Sequence, residues 1–549
     1  MLALVLLILA TLSGICSHVF FFIHGEWESK ITTLFTFYMG AEVFLMASTF
    51  RACAPTIVSS LVMFISTNLA YLCGLFGSMT IYRVYFHRLR HFPGPRPAQV
   101  SALWSLYRTI PNFRFYKIVH KLHLEHGDFV RIRPREISIC HVDAVHDIHG
   151  VHSGCLKGTF YDINYPARSL QMTRDKAFHS QRRRIWDKGF TARALIEYQP
   201  RVTEHCLKLV SQLSKRLELP INVPDWMSYF GFDVMGDLAF GKSFNMLDEA
   251  GDQYTLSLLK MMQTAIGIIS SAPWLFMMFQ KLPLVNLKRL EWLRWCAAQV
   301  RSRQKMGKSR QDLFSYILGD EGGSNLQISN DDLMFDSELA IIAGSDTTSS
   351  TLAALLYLLA KHPEKLALLQ AEMDNLFAPG EDISYQRLVK AAPFLHGCIN
   401  EALRLYPAVP GGVQRVTPAG GVKISGRWIP EDTVVSFPIY TLHRDPRYFD
   451  HPDSFIPERW SSQPELIRNG SAFSPFLLGQ YSCVGKNLAY MEMRLLVYFL
   501  VKNLDFGFPP GSREEVEDVF DGPQGFKDFF VLRPPAFALV FSRREYVER

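Results

Sequence analysis

The chain has 549 residues, 48% of them hydrophobic and 20% charged, which excludes a largely disordered chain and leaves room for one large core or two ordinary ones. Its net charge of +6 suits a protein lying against an anionic membrane surface. No Lys/Arg block is interleaved with aromatic residues as nucleic-acid binding modules require, so no nucleic-acid partner is expected.

The nine cysteines are scattered without a C-x-x-C pair. Neither a disulfide framework nor a zinc site is therefore expected, and a reducing compartment is the simpler setting for most of the chain.

Residues 1–90 stand apart as a membrane anchor. The runs 2–23 and 57–82 contain no Asp, Glu, Lys or Arg, and the run 31–50 contains only Glu42. Each approaches the roughly 20 residues that span a bilayer core, so about three N-terminal transmembrane helices are predicted. A cleavable signal peptide is the rival reading of the first run, but that run lacks a basic n-region and is followed by two more apolar runs. A carboxylate at mid-membrane costs about 3 kcal/mol, so Glu42 implies protonation, a partner on another span, or a second run that only skims the interface. Arg83, His87, Arg88 and Arg90 follow the third run and favour a cytosolic location for everything downstream.

Residues 91–98 contain Pro93, Pro95 and Pro97 and read as a stiff hinge. Residues 99–549 form the third unit, mainly α with small β-sheets. Strand-like alternation marks Phe129–Ile139 and Val422–Pro438, and Phe529–Phe541 reads as a terminal hairpin interrupted by Pro534 and Pro535. The longest helix starts near Ser329, an N-cap with Asp331 and Asp332 in the first turn, and ends near Lys361 ahead of His362-Pro363. At about 1.5 Å per residue it spans about 48 Å and crosses the domain interior. Its centre is Gly344-Ser345-Asp346-Thr347-Thr348, which breaks the local rules for a buried helix and marks a functional position. Packing through small residues is the structural alternative.

Near the C-terminus stands Phe476-Leu477-Leu478-Gly479-Gln480-Tyr481-Ser482-Cys483-Val484-Gly485. Gly479 permits a sharp turn, and Gly485 lets backbone approach a flat ligand. A helix starting near Val484 directs its amides at the Cys483 sulfur, an arrangement that lowers a thiol pKa. A lone cysteine is more often a small buried hydrophobe; the F-x-x-G-x-x-x-C-x-G spacing argues otherwise.

With this spacing the sequence resembles the cytochrome P450 family, from about Pro93 to Phe541. Glu401-Ala402-Leu403-Arg404 resembles its E-x-x-R element, and Phe455–Trp460 the segment whose Arg459 completes a buried structural charge network. Residues 343–348 resemble its oxygen-activation stretch. The resemblance implies haem b held by Cys483 as the axial iron ligand, with Phe476, Gly479, Tyr481 and Gly485 around it. It implies that Gly344 loosens the helix beside the haem, that Thr347 orients dioxygen and water, and that Asp346 helps deliver protons. Two arms of the family's propionate clamp are altered: His179 stands where Trp is usual and Tyr481 where Arg is usual. His179, Tyr481, Arg183 and Arg415 are the candidate propionate contacts, although the run Arg182–Arg184 also fits a solvated face.

The activity implied is insertion of one atom of O2 into a lipophilic small molecule by hydroxylation or epoxidation, as in fungal secondary metabolism. Desaturation, ring formation or rearrangement on the same fold is the alternative, and a non-enzymatic haem-binding membrane protein a remote one. No flavin- or nicotinamide-binding pattern follows Cys483, so electrons from NADPH are expected through a separate cytochrome P450 reductase, with cytochrome b5 as a second candidate donor. The implied location is the endoplasmic reticulum membrane, with the catalytic domain facing the cytosol. By position in the family the pocket draws on Gly158–Met172, Ser271–Phe279, the long helix centre and Val409–Val413, with Phe160, Tyr161, Trp274 and Phe276 among the apolar residues of these segments.

Overall fold

The computed structural model describes residues 2–544 except 53–55, 250–252, 270–271, 280–282, 308–310, 319–327, 378–380 and 382. Three N-terminal helices come first: α1 (Leu2–Cys16), α2 (Ile31–Ala52) and α3 (Ile57–Ile81). The stretches Ala3–Phe22, Ile31–Arg51 and Ile57–Phe86 are long and apolar enough to cross a membrane. Helices α1 and α3 touch through glycines: a Cβ on Gly14 would lie 2.1 Å from the Tyr71 carbonyl oxygen, and one on Gly74 2.1 Å from that of Thr11. Such backbone contact gains dispersion energy where lipid offers no hydrophobic drive. Glu42 accepts a hydrogen bond from Asn68 Nδ2 of α3 at 2.7 Å, so the awkward carboxylate has its partner on another span.

The hinge residues pair with the domain that follows them. Pro93 O accepts from Arg131 N at 2.7 Å, and a short helix α4 begins at Arg96 (Arg96–Val100). Pro97 fits its first turn because no intrahelical donor is needed there. Residues 91–98 are thus strapped to the first strand.

Among the described residues, eleven short strands form four small sheets. β1 (Phe129–Arg133) and β2 (Glu136–Ile139) make a hairpin, and β2 runs parallel to β7 (Val434–Ser436), with Ile137 opposite Val435. β4 (Arg415–Val416) closes this sheet in the order β1-β2-β7-β4, and β5 (Val422–Ile424) pairs with β6 (Arg427–Ile429). The C-terminal hairpin is corrected. β9 (Lys527–Phe529) pairs with β10 (Val531–Arg533), whereas β11 (Ala538–Arg543) lies between β3 (Pro220–Asn222) and β8 (Leu504–Gly507). Pro534 and Pro535 supply no ladder donors and separate the two sheets.

The remaining helices used below are α5 (Lys176–Lys188), α6 (Val223–Phe240), α7 (Gln253–Ile269), α8 (Pro273–Phe279), α9 (Pro283–Met306), α10 (Asn330–Lys361), α11 (Pro393–Leu405) and α12 (Lys486–Asn503). α10 is the predicted long helix. The Ser329 side chain caps it by accepting from Asp332 N at 3.1 Å. Its C-terminal half, Leu352–Ala360, is buried on every side, as an apolar helix without a polar face must be. That explains why its hydropathy matches a membrane span while most of it sits inside the domain.

α6 packs on α10 at the functional centre. A Cβ on Gly231 would lie 2.9 Å from Ser345 O, and one on Gly344 only 2.4 Å from Met235 Sδ. The helix is uninterrupted through Gly344, so this glycine answers to packing by α6 and does not loosen the helix. Gly231→Val would push α6 off α10, an overpacking cost of about 1–3 kcal/mol. A lowered denaturation midpoint with an unchanged denaturant slope is the expected result.

Candidate active site

Several helices and loops converge on one cavity of about 370 Å³ with a mainly apolar wall. α10 contributes Ala343, Gly344 and Thr347, and the loop before α12 contributes Phe476, Tyr481, Cys483 and Gly485. α5 adds His179 and Arg183; Arg415 comes from β4, and Phe160, Tyr161 and Lys157 from the segment before α5. Of the segments expected to line the pocket, Phe276 of α8, Val409 and Val413 also do so, whereas Trp274 is not among the lining residues. Ser271 lies outside the described residues.

The cysteine loop is held by its own backbone. Cys483 N donates to Phe476 O at 2.9 Å, and a Cβ on Gly479 (φ +66°) would sit 2.2 Å from His149 O. Only glycine fits that turn. At Gly485 the protein demands nothing: a Cβ would meet Phe190 at 3.8 Å and Cys483 Sγ at 4.0 Å, both ordinary contacts. The space over Gly485 belongs to the cavity. Helix α12 starts at Lys486, two residues later than predicted.

The Cys483 side chain is exposed, but to the cavity and not to bulk solvent. Burial pushes its thiol pKa up, against the amides of Gly485 and Lys486 and the charge of Arg183. The expected net lowering is therefore corrected. The amides act in the expected direction, but desolvation wins until a cation is bound, and a coordinating metal then deprotonates a thiol outright.

Beside this loop the cavity has a cationic lobe. Arg415 stacks on Tyr481 at 4.8 Å and donates to Tyr161 Oη at 3.0 Å. Lys157 also lies 4.8 Å from the Tyr481 ring and donates to Gln171 O at 2.6 Å. His179 meets Tyr481 edge-on at 4.6 Å. Burial, Lys157, Arg183 and Arg415 together push its imidazole down to about 3, so it is neutral. Burial, then Arg415, holds the Lys157 ammonium well below its ordinary pKa. His179 Nδ1 and Arg415 Nε are buried without a hydrogen-bond partner. A group bearing carboxylates would satisfy these donors and favour the charged form of Lys157. The lobe therefore fits the propionate edge of haem.

Arg183 divides its contacts: it pairs with Asp187 at 2.7 Å and donates to Ser482 O at 2.6 Å, bracing the residue before Cys483. Arg182, which the sequence left open as solvated, is buried against Asp336 of α10. Sequence reasoning missed Lys157, because a single lysine in an apolar stretch carries no local pattern. It also missed Glu492 of α12, a buried cavity-lining carboxylate whose Oε2 has no hydrogen-bond partner and whose pKa burial raises well above normal. A lone acid within Leu488–Leu500 was the available signal.

Thr347 and Asp346 point different ways. Thr347 lines the cavity, its Oγ1 donating to Ala343 O at 2.9 Å. Asp346 is buried away from the lining residues and accepts a hydrogen bond from Gln263 of α7, which accepts one from Arg533 of β10. Burial raises the Asp346 carboxyl to about 7, against the charge of Arg533 and the Gln263 hydrogen bond. The sequence did not show Gln263 or Arg533 as its partners.

Behind the site, Glu401, Arg404 and Arg459 form one buried network. Arg404 grips Glu401 at 2.7 and 2.9 Å, Arg459 Nε at 2.9 Å and Trp460 Nε1 at 2.9 Å. Burial opposes ionisation of Glu401, but the two guanidiniums outweigh it and hold the carboxyl below its ordinary pKa.

A family profile described as cytochrome P450 matches residues 93–538. Cytochrome P450 monooxygenase nodW of Hypoxylon pulicicidum is 40% identical over 544 residues, covering 98% of each chain. Tryprostatin B 6-hydroxylase of Aspergillus fumigatus is 36% identical over 97% of this chain and 96% of its own. The crystal structure of the cytochrome P450DA heme domain superposes with a TM-score of 0.68 at 20% identity, covering 83% of this chain and 98% of that one. A cysteine facing one apolar cavity, with a crossing helix and a cationic lobe around it, is the arrangement of the haem-thiolate class. The chain belongs to the cytochrome P450 family, whose members are haem-dependent monooxygenases that use redox partners.

Glu401→Gln leaves two buried guanidiniums short of a counter-charge, at an expected cost of about 3–5 kcal/mol. The lowered pKa of Glu401 means that its contribution is full above pH 4.5 and is lost as pH falls through the folded value. Denaturant titration at neutral and acid pH should show the two proteins converging toward low pH.

Proposed function

We propose that this protein is a membrane-anchored monooxygenase in which Cys483 holds the haem iron. The observation that carries the reading is a single cysteine sulfur facing an apolar cavity between Thr347 and a cationic lobe. Lys157, Arg415, His179 and Tyr481 would hold the propionates, and the space over Gly485 would take the porphyrin face. The haem, when bound, supplies activation of dioxygen and transfer of one oxygen atom to the substrate.

The chain's own contribution is shape and protons. The apolar walls near Phe160 and Phe276 exclude water and select a lipophilic body. Thr347 has used its hydrogen toward Ala343 O, so its oxygen presents lone pairs to the cavity and can hold a water in place. Arg533, Gln263 and Asp346 form a chain of polar groups ending at the helix centre, where Asp346 Oδ2 takes up and releases a proton.

Electrons would arrive from NADPH through a separate membrane-bound cytochrome P450 reductase, with cytochrome b5 as a second donor. Residues 1–90 would hold the domain on the cytosolic face of the endoplasmic reticulum, where such partners share its plane. The fungal relatives, among them the tryprostatin B hydroxylase, support a substrate from secondary metabolism. Addition of one oxygen atom to such a substrate, read by product mass, separates hydroxylation from loss of two hydrogens by desaturation.

The deciding measurement is the reduced, carbon-monoxide-bound absorption spectrum. Wild type should give the red-shifted Soret band of thiolate ligation, and Cys483→Ala should lose it; an unshifted band in folded wild type would overturn the assignment. A second test uses pH. Asp346 holds its proton below about pH 7 and loses it above, so product formed per NADPH consumed should fall through an inflection near pH 7. Asp346→Asn should lower that coupling and flatten the profile. Between pH 3.8 and about 7 the folded protein binds this proton more tightly than the unfolded chain, so stability declines across that window, and the Asn variant should remove the decline.

A further inference from the structure

The loop joining the first two spans is acidic and does not hang free. Glu26 receives two hydrogen bonds from Arg174, at 2.6 and 3.2 Å, and lies 3.9 Å from Arg135. Glu28 lies 3.7 Å from Arg135, which also pairs with Asp432 at 2.5 Å. Arg174 also binds Asp162 at 3.1 Å and donates from Nε to Lys157 O at 3.1 Å. Two carboxylates of the anchor loop are thus tied to two arginines of the catalytic domain, one of which holds the backbone of a cavity-lining lysine.

Packing agrees with these ion pairs. The turn Glu28–Lys30 packs on the turn Thr159–Asp162, whose Phe160 and Tyr161 line the cavity. Helix α8, whose Phe276 lines the cavity, packs on both that acidic turn and α2. The anchor therefore abuts two segments of the cavity wall. α1 is fixed to α3 by the contacts at Gly14 and Gly74, and Arg83, just past α3, donates to Val100 O at 2.6 Å. The domain is held at both cytosol-side ends of the anchor, the 23–30 loop and the end of α3.

We propose that Glu26 and Glu28 form a clamp that docks the anchor on the cavity wall. By docking the Thr159–Asp162 turn and α8, both of which line the cavity, against the anchor, it lets lipophilic ligands reach the cavity along α2 without crossing water. This rests on the haem-monooxygenase reading. The clamp residues are partly exposed, about a quarter to a third, so the network holds a position without locking it permanently. Undocking would expose the apolar chain of such a ligand to water on its way to the cavity and slow its entry.

The test uses full-length protein in phosphatidylcholine vesicles and two probes that ligate haem iron: water-soluble imidazole and bilayer-resident 1-dodecylimidazole. Association rates are read from the Soret shift. The Glu26→Arg/Glu28→Arg double variant should slow 1-dodecylimidazole about fivefold, as expected for losing a few partly exposed ion pairs, while imidazole keeps its rate. Glu26→Gln/Glu28→Gln should fall between, and hydrogen exchange should rise in residues 159–162 and 273–279. Unchanged 1-dodecylimidazole rates, or equal changes for both probes, would overturn the clamp. Absence of any shift with imidazole in wild type would instead overturn the haem reading.

Discussion

One buried carboxylate organises the proximal half of the molecule. Glu401 sits on α11, and a Cβ on its neighbour Gly397 would lie 2.4 Å from Pro457 O, so the helix and the Pro457–Trp460 turn are in backbone contact. Glu401 fastens that contact through Arg459 and Trp460, and Arg404 extends it to His443 O at 2.8 Å. The His443 ring in turn accepts from Ser474 N at 3.1 Å, two residues before Phe476, whose carbonyl holds Cys483 N. The cysteine loop is therefore braced by hydrogen bonds and short backbone segments that lead back to Glu401. A buried ion network of this kind is weak evidence for stability but strong for a fixed arrangement, since each group left unpaired would be costly.

The cavity separates two kinds of work. One side concentrates positive charge and aromatic faces, a setting that favours bound carboxylates. The other side is α10, where Thr347 opens to the cavity and Asp346 turns its back on it. Burial alone would make an isolated acid a poor ionisable group; the Gln263 hydrogen bond and the Arg533 charge partly offset this and bring Asp346 to about 7. A group poised there exchanges protons readily under physiological conditions.

Legibility from sequence followed the range of the interactions. The cysteine loop and α10 were readable because turn glycines, caps and helix breakers act within a few residues. β11 was misassigned because its partners, β3 and β8, are remote in sequence. Lys157, Gln263, Arg533 and Glu492 acquire meaning only through what folds against them. Gly344 shows the opposite error: a residue whose motif position suggested helix loosening is explained by the sulfur of Met235. The Cys483 thiol was misjudged for a related reason, since helix amides are local and visible while the desolvation that outweighs them belongs to the whole fold.

The same distinction applies to the anchor. Hydropathy marks three spans, yet it treats Glu26, Glu28 and Glu42 alike as acids near apolar runs. The structure gives them different roles. Glu42 is satisfied within the helices by Asn68, so it links spans to each other, whereas Glu26 and Glu28 reach Arg174 and Arg135 and link the spans to the domain. Arg174 also holds the carbonyl of Lys157, itself a member of the cationic lobe. The anchor loop and the cationic lobe are thus separated by a single guanidinium.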